Sequence, residues 1–208
     1  MKVMSMTLDA EAIWRYIDEQ RADLADLLDT LTPDQWAAGS LCAGWSVRDV
    51  AAHLTHSHLG ALDLLGAAVR ARFRFDAMMN QLVMADDRTP EDLTATLRAM
   101  VGSRRRPPTP TPLDPLMDVL VHGQDIAVPL GLDRQMPGPA AVAVAERLWH
   151  MRFPLNPQRR LPRVRLVAAD AEFAIGDGST VRAPIRDLVM VLAGRRALSS
   201  VSSGADPA

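Results

Sequence analysis

Apolar residues at helical spacing are the feature that most constrains the fold of this chain. In its first helical segment they lie three, four or seven positions apart and form one seam, made of Ile13, Ile17, Leu24, Leu27 and Leu31. The same periodicity predicts helices over about 9–31, 46–72, 113–131 and 139–153, and a helical region over 76–102 that is broken near Thr89-Pro90. Segments of this length and pattern favour an antiparallel four-helix bundle with short connections.

Helix boundaries can be predicted from capping residues. Thr32 and Pro33 are predicted to end the first helix, because a residue before proline disfavours the helical conformation, and residues 34–44 are predicted to be a turn or loop. Ser46, with Asp49 three residues later, predicts a capped start for the second helix. The side chains predicted to face the core of the bundle include Val47, Leu54, Leu65, Leu116, Leu120 and Ala127.

The apolar pattern changes after Pro154. Residues 164–168 alternate between apolar and other side chains, which is typical of a strand. Further extended segments are predicted over 172–175 and 179–182, joined by a Gly-Asp-Gly turn. These segments predict a small antiparallel sheet, because a tight turn connects adjacent antiparallel strands.

The pattern divides the chain into three parts. We expect a mainly α bundle at residues 7–153. Residues 154–196 are expected to form the small β segment and a closing helix at 184–194, which packs on the sheet or on the bundle. The polar residues 197–208 are expected to be a disordered tail.

Composition excludes several classes of function. The formal net charge is −2, so a nucleic-acid-binding surface is not expected. The sequence contains no run of about 18 apolar residues, so no membrane span is predicted. Cys42 is the only cysteine, which rules out an internal disulfide and fits a reducing compartment. Without the apolar run of a signal peptide, the chain is expected to be cytoplasmic. Its arginine-for-lysine bias indicates a GC-rich genome.

Three polar side chains form a candidate metal site. His53 lies on the second predicted helix, and Asp118 and His122 lie four residues apart on the fourth, one turn along the same face. Two ligands from one helix and one from a facing helix would leave an open position on a tetrahedral metal, as a catalytic site requires. Spacing alone favours a hydrogen bond between Asp118 and His122 on the helix surface, because such polar pairs are common on helices.

The remaining candidates are interpreted as structural. The apolar seam of the second helix runs through His58, which places His53 at its edge and predicts that His56 is solvated. Cys42 precedes a Gly-Trp turn and has no base beside it in sequence. It is interpreted as a small buried hydrophobe rather than as a nucleophile.

Two segments carry a resemblance to a known family. CAGWSVRDVAAHL at residues 42–54 and VHGQDIAVPLG at 121–131 resemble the two signatures of the mycothiol-dependent maleylpyruvate isomerase family. Residues 167–195 resemble the β segment and helix that close its short members. The resemblance implies a DinB-like metal-binding four-helix bundle and an actinobacterial source.

The resemblance also assigns ligands. It implies a divalent metal, usually zinc, held by a histidine on the second helix and a Glu-(x)3-His pair on the fourth. His53 and His122 match the histidines, and Asp118 stands in the glutamate position, one methylene shorter. Asp125, three residues beyond His122, has two possible roles. It either accepts a hydrogen bond from His122 and so fixes the imidazole tautomer, or it pairs with a neighbouring arginine.

The implied activity is a transfer or isomerisation that uses the thiol mycothiol. A metal would lower the pKa of the thiol, and the thiolate would add to a small electrophile. The alternative is a non-catalytic small-ligand-binding or regulatory bundle that has lost the metal. The family's isomerase is expected to carry a larger C-terminal domain than this chain, which makes maleylpyruvate an unexpected substrate. We allow for a homodimer.

Overall fold

The computed structural model describes residues 8–58, 71, 74–105 and 111–201. Its contacts divide the chain into two compact units. One unit is Trp14–Arg134, and the other combines Met1–Ile13 with Gln135–Ala208. The predicted division at residue 154 stays a prediction.

Helices make up the first unit. They are α1 (Ala10–Asp29, which begins before the unit), α2 (Pro33–Ala37), α3 (Val47–Thr55), α4 (Phe75–Met84), α5 (Pro90–Ala99) and α6 (Leu113–Ala127). Helix α3 packs against α4, α5 and α6. The residues predicted to face inward are buried wherever they are described, namely Val47, Leu54, Leu116, Leu120 and Ala127. Leu65 lies outside the described residues. None of the described helices is long and apolar enough to cross a membrane.

A short helix replaces the loop predicted after Pro33. Thr32 accepts a hydrogen bond from the backbone N–H of Gln35, and the Gln35 side chain accepts one from the backbone N–H of Thr32. Proline is well suited to the first helical position because it has no N–H to satisfy there. Thr32 and Pro33 therefore begin α2, whereas α1 already ends at Asp29. The loop prediction was wrong for residues 34–37.

Helix α3 begins as predicted and changes form earlier than predicted. Ser46 and Asp49 form a reciprocal capping box at its start. After Thr55 the chain tightens into a 3₁₀ turn, His56–His58. The predicted continuation over 59–70 and 72–73 lies outside the described residues. The tighter turn rotates the side chains that follow Thr55 away from the positions that α-helical periodicity assigns to them.

The second unit contains the sheet. Its elements are α7 (Gly138–Trp149), α8 (Pro157–Arg160), β1 (Val164–Ala168), β2 (Ala174–Gly176), β3 (Ser179–Ala183), α9 (Ile185–Leu192) and a 3₁₀ turn at Leu198–Ser200. The strand order is β2-β1-β3. Helix α9 packs against α7 and β1. The predicted sheet and closing helix are therefore present, while 202–208 of the predicted tail lie outside the described residues.

One strand pairing differs from the prediction. Strands β1 and β2 are antiparallel, as expected, but β3 lies parallel to β1 on its other edge. The chain crosses the start of β1 here, and Ser179 donates a backbone hydrogen bond to the Arg163 carbonyl at 3.0 Å. A Cβ on Gly178, whose φ is +110°, would lie 2.1 Å from that carbonyl oxygen. The glycine therefore permits a crossing where a hairpin turn was predicted.

Candidate metal centre

Helices α3 and α6 bring the three predicted ligands together. The ligand atoms of His53, Asp118 and His122 all lie within 4.8 Å of one another. The two imidazole rings meet edge to face, with their centroids 4.7 Å apart. His122 is buried, and His53 and Asp118 are half-buried. The helix-surface hydrogen bond is thus not needed to explain the spacing of Asp118 and His122, because both face a histidine on α3.

The other edge of the His122 ring contacts Asp125. The Nδ1 atom of His122 lies 2.8 Å from Oδ2 of Asp125, which is fully buried. A carboxylate oxygen accepts, so Nδ1 carries the proton and donates. The nitrogen that remains to ligate is Nε2. Of the two roles predicted for Asp125, this contact is the one required of an acceptor that fixes the tautomer of His122.

Cys42 belongs to the same cluster, which the sequence interpretation missed. Its Sγ donates to Oδ2 of Asp125 at 3.1 Å and lies 3.7 Å from Nδ1 of His122. Cys42 is buried, as a small hydrophobe would be, but its thiol also has a polar partner. The available signal was its place in the same signature segment as His53.

The loop before α3 holds Cys42 against α6. The backbone N–H of Leu41 donates to the Asp125 carbonyl at 3.0 Å. Within the loop, Cys42 donates its N–H to Oγ of Ser40, and Trp45 donates its N–H to the Cys42 carbonyl. The Trp45 ring packs at a tilt on His53, with centroids 5.4 Å apart. The loop therefore contacts both helices that supply candidate ligands.

The charges of the cluster suit a cation. Burial alone would lower the pKa of His122. The hydrogen bond that His122 donates to Asp125, its contact with Cys42 and the charges of Asp125 and Asp118 outweigh burial and raise the pKa to about 10. Burial raises the pKa of Asp118, and the His122 charge opposes this rise. A position that stabilises positive charge on a buried imidazole is also one that favours a bound metal ion.

The donor set fits a catalytic metal. Two imidazoles and one carboxylate are ligands that zinc accepts, and three protein ligands leave one position of a tetrahedral ion open. A small cavity of about 10 Å³, with room for about one water molecule, lies beside Asp118. Its walls include Leu54, Leu97 and Arg21, which is almost fully buried. The cluster thus has a suitable ligand set, and a small cavity adjoins one of its three members.

His56 lies in a separate buried network, although the sequence predicted that it is solvated. Its Nε2 contacts Oδ2 of Asp86 at 2.9 Å. The same carboxylate accepts two side-chain hydrogen bonds from Arg88, whose Nη2 also donates to Thr55. The physical reason for the error is packing: α3 contacts α4, α5 and α6, so its buried surface is wider than one apolar seam and includes His56.

Helix bundles commonly build metal sites from side chains on facing helices, and His53, Asp118 and His122 are arranged in this way. The family model described as the mycothiol maleylpyruvate isomerase N-terminal domain matches residues 17–114. Residues 17–114 therefore belong to that domain family, as the resemblance predicted. His53 lies inside the matched segment, and Asp118 and His122 follow its end by four and eight positions.

Two solved structures share the fold. A crystal structure of mycothiol-dependent maleylpyruvate isomerase matches with a TM-score of 0.63 at 15% identity, over 96% of this chain and 95% of that one. A histidine-to-alanine mutant of mycothiol-dependent maleylpyruvate isomerase matches with a TM-score of 0.64 at 14% identity and the same coverage. The predicted DinB-like fold class is confirmed. No curated protein matches the chain in sequence.

The same comparison corrects one expectation from the sequence. The isomerase was expected to carry a larger C-terminal domain than this chain. The match extends over 95% of the isomerase chain, including its C-terminal part. Chain length therefore gives no argument against maleylpyruvate as a substrate.

Proposed function

We propose that this protein is a divalent-metal-dependent enzyme that uses a small thiol to transfer or isomerise a small electrophile. Zinc is the expected metal, and mycothiol, the thiol in the family's name, is the expected cosubstrate. The observation that carries the proposal is the convergence of His53, Asp118 and His122 within 4.8 Å on two helices of the family's fold. A cytoplasmic location and a homodimer stay predictions.

Each residue of the cluster has a defined part. His53, Asp118 and His122 would hold the metal. Asp125 accepts a hydrogen bond from the Nδ1–H of His122, which leaves Nε2 as the nitrogen that would bind the metal. A bound divalent ion would supply Lewis acidity and lower the pKa of a thiol at its open position.

The surroundings control access to the cluster. Buried apolar side chains of α3, α5 and α6 exclude water from the side of the cluster that faces the core, and Leu54 and Leu97 line the cavity beside Asp118. Arg21 holds its guanidinium at that cavity by donating to the carbonyls of Met100 and Ser103. The cavity beside Asp118 therefore has an apolar wall and one fixed cation.

The second candidate function is a non-catalytic binding or regulatory bundle. The observation that favours it is Asp118 in the position of the family's glutamate. The shorter carboxylate must approach a metal more closely or bind it through water. If zinc affinity is too low to fill the site, the chain would keep the family's fold without metal chemistry.

Metal binding separates the two functions. We expect equilibrium dialysis to show one zinc per chain, with His122→Ala reducing the affinity at least about 100-fold because a buried ligand is lost. His150→Ala is the matched control, since His150 is exposed and lies outside the cluster. Zinc-loaded protein is expected to accelerate addition of a thiol to a generic electrophile, and His122→Ala to abolish the acceleration.

Two results would count against the enzyme. Wild-type protein that takes up no zinc would favour the non-catalytic function. Zinc uptake that is equally strong in His122→Ala would place the metal elsewhere and remove the observation on which the proposal depends.

A further inference from the structure

The strongest unused feature of the molecule is the thiol of Cys42, which lies in the candidate centre without a ligand role. Asp125 Oδ2 accepts two hydrogen bonds at once, from Cys42 Sγ at 3.1 Å and from His122 Nδ1 at 2.8 Å. All three side chains are buried. One oxygen atom therefore joins the loop before α3 to the imidazole on α6.

These spacings indicate protons between the three side chains rather than a second metal. Ligand atoms on a tetrahedral zinc, at about 2.0–2.3 Å from the ion, lie roughly 3.3–3.6 Å from one another. The Nδ1–Oδ2 and Sγ–Oδ2 distances are both shorter than that and match hydrogen bonds. Cys42 is consequently placed as a donor to Asp125.

The backbone contributes an independent constraint on Asp125. Leu41, the neighbour of Cys42, donates its N–H to the Asp125 carbonyl at 3.0 Å. The loop thus contacts the main chain and the side chain of the same aspartate. Because the main chain is held, the thiol of Cys42 acts on the rotation of the Asp125 side chain, which it restrains together with His122.

We propose that Cys42 is a positioning residue whose thiol fixes Asp125, which in turn fixes the ring of His122 for metal binding. The proposal rests on the proposed function, since it concerns the same ligand. Loss of an outer partner of a metal-bound histidine commonly weakens metal binding about 10–100-fold. Cys42 acts one bond further out, so we expect the lower end of that range.

Three substitutions separate the donor from the volume of Cys42. Cys42→Ser keeps a donor, Cys42→Val fills the space without a donor, and Cys42→Ala removes both. We expect Cys42→Ala and Cys42→Val to weaken zinc binding about tenfold, and Cys42→Ser to stay within about threefold of wild type. Binding is measured by competition with a chromophoric zinc chelator. A Cys42→Ser variant as weak as Cys42→Ala, or three variants equal to wild type, would overturn the proposal.

Two spectroscopic measurements keep the proposal separate from the proposed function. In metal-free protein, the Nδ1 proton of His122 should give a slowly exchanging imidazole resonance that survives in Cys42→Ser and is lost in Cys42→Ala. This resonance tests the role of Cys42 even if wild-type protein binds no zinc. Absence of zinc binding would overturn only the proposed function. With Co²⁺ as the probe, wild type and Cys42→Ser should give the same spectrum. A thiolate-to-cobalt charge-transfer band present only in wild type would make Cys42 a ligand and refute its positioning part.

Discussion

Two buried histidine–carboxylate pairs lie in the first unit, and they differ in what surrounds them. The pair of His122 and Asp125 is 2.8 Å apart, and the pair of His56 and Asp86 is 2.9 Å apart. In the first pair the pKa of the histidine is raised to about 10, against its burial. In the second, burial and the charge of Arg88 lower the pKa of the histidine, against the effect of Asp86.

The difference shows which pair is complete by itself. Burial by itself would raise the pKa of Asp86. Arg88 donates to this carboxylate through two side-chain nitrogens, and these hydrogen bonds, with those of His56 and the charge of Arg88, outweigh burial. The pKa of Asp86 is therefore well below its usual range. The His56 pair thus carries its own cation. The His122 pair has a further carboxylate, Asp118, within reach of the ring. We therefore interpret the His56 pair as structural and the His122 pair as the place for a cation from outside the chain.

The largest expected effect tests the structural pair. Asp86→Asn should destabilise the protein by about 2–3 kcal/mol. It removes the charge from a carboxylate that accepts hydrogen bonds from Arg88 and is only 5% exposed. Zinc affinity should change less than about twofold, because Asp86 belongs to the other pair. Urea unfolding and zinc competition measure the two quantities. Asp87→Asn, which removes the same charge from an exposed neighbour, is the control. Equal losses in stability and zinc affinity would mean that the two pairs act as one.

A smaller effect is expected from restoring the family's ligand. Asp118→Glu should tighten zinc binding about tenfold, or about 1.4 kcal/mol, because the longer side chain can reach the ion without displacing α6. Asp118→Asn, which keeps the size and removes the charge, should weaken binding. Competition with a chelator measures both. If glutamate weakens binding while asparagine does not, the third ligand is not Asp118.

The smallest effect concerns pH and again distinguishes the pairs. Because the pKa of Asp86 is lowered in the folded protein, its contribution to stability is present above the unfolded pKa of about 3.9 and is lost as pH falls towards the folded pKa. Between pH 5 and pH 3, wild type should lose about 1 kcal/mol more stability than Asp86→Asn. Urea unfolding at several pH values provides the measurement. Parallel pH profiles for the two proteins would show that Asp86 does not hold this charge.

Much of the fold was predictable from local sequence. The capping box at Ser46 and the apolar faces of α3 and α6 depend on residues within one or two turns of each other. Residue type and spacing therefore identify them. The exceptions involve residues that fit two local structures. Pro33 was interpreted as the end of one helix but is the first residue of the next, and Gly178 permits a crossing over β1 that local pattern cannot distinguish from a hairpin turn.

The candidate site is divided in the same way. Residue type and spacing, with the family resemblance, were sufficient to select His53, Asp118 and His122, because each lies in a helix whose face can be read from its neighbours. The tertiary structure alone decided that Cys42 joins Asp125, 83 positions away in sequence, and that His56 is buried on Asp86. Both outcomes depend on the packing of one segment against another. Hydrogen bonds between residues that are distant in sequence form only where that packing brings donor and acceptor within about 3 Å, and no local periodicity carries that information.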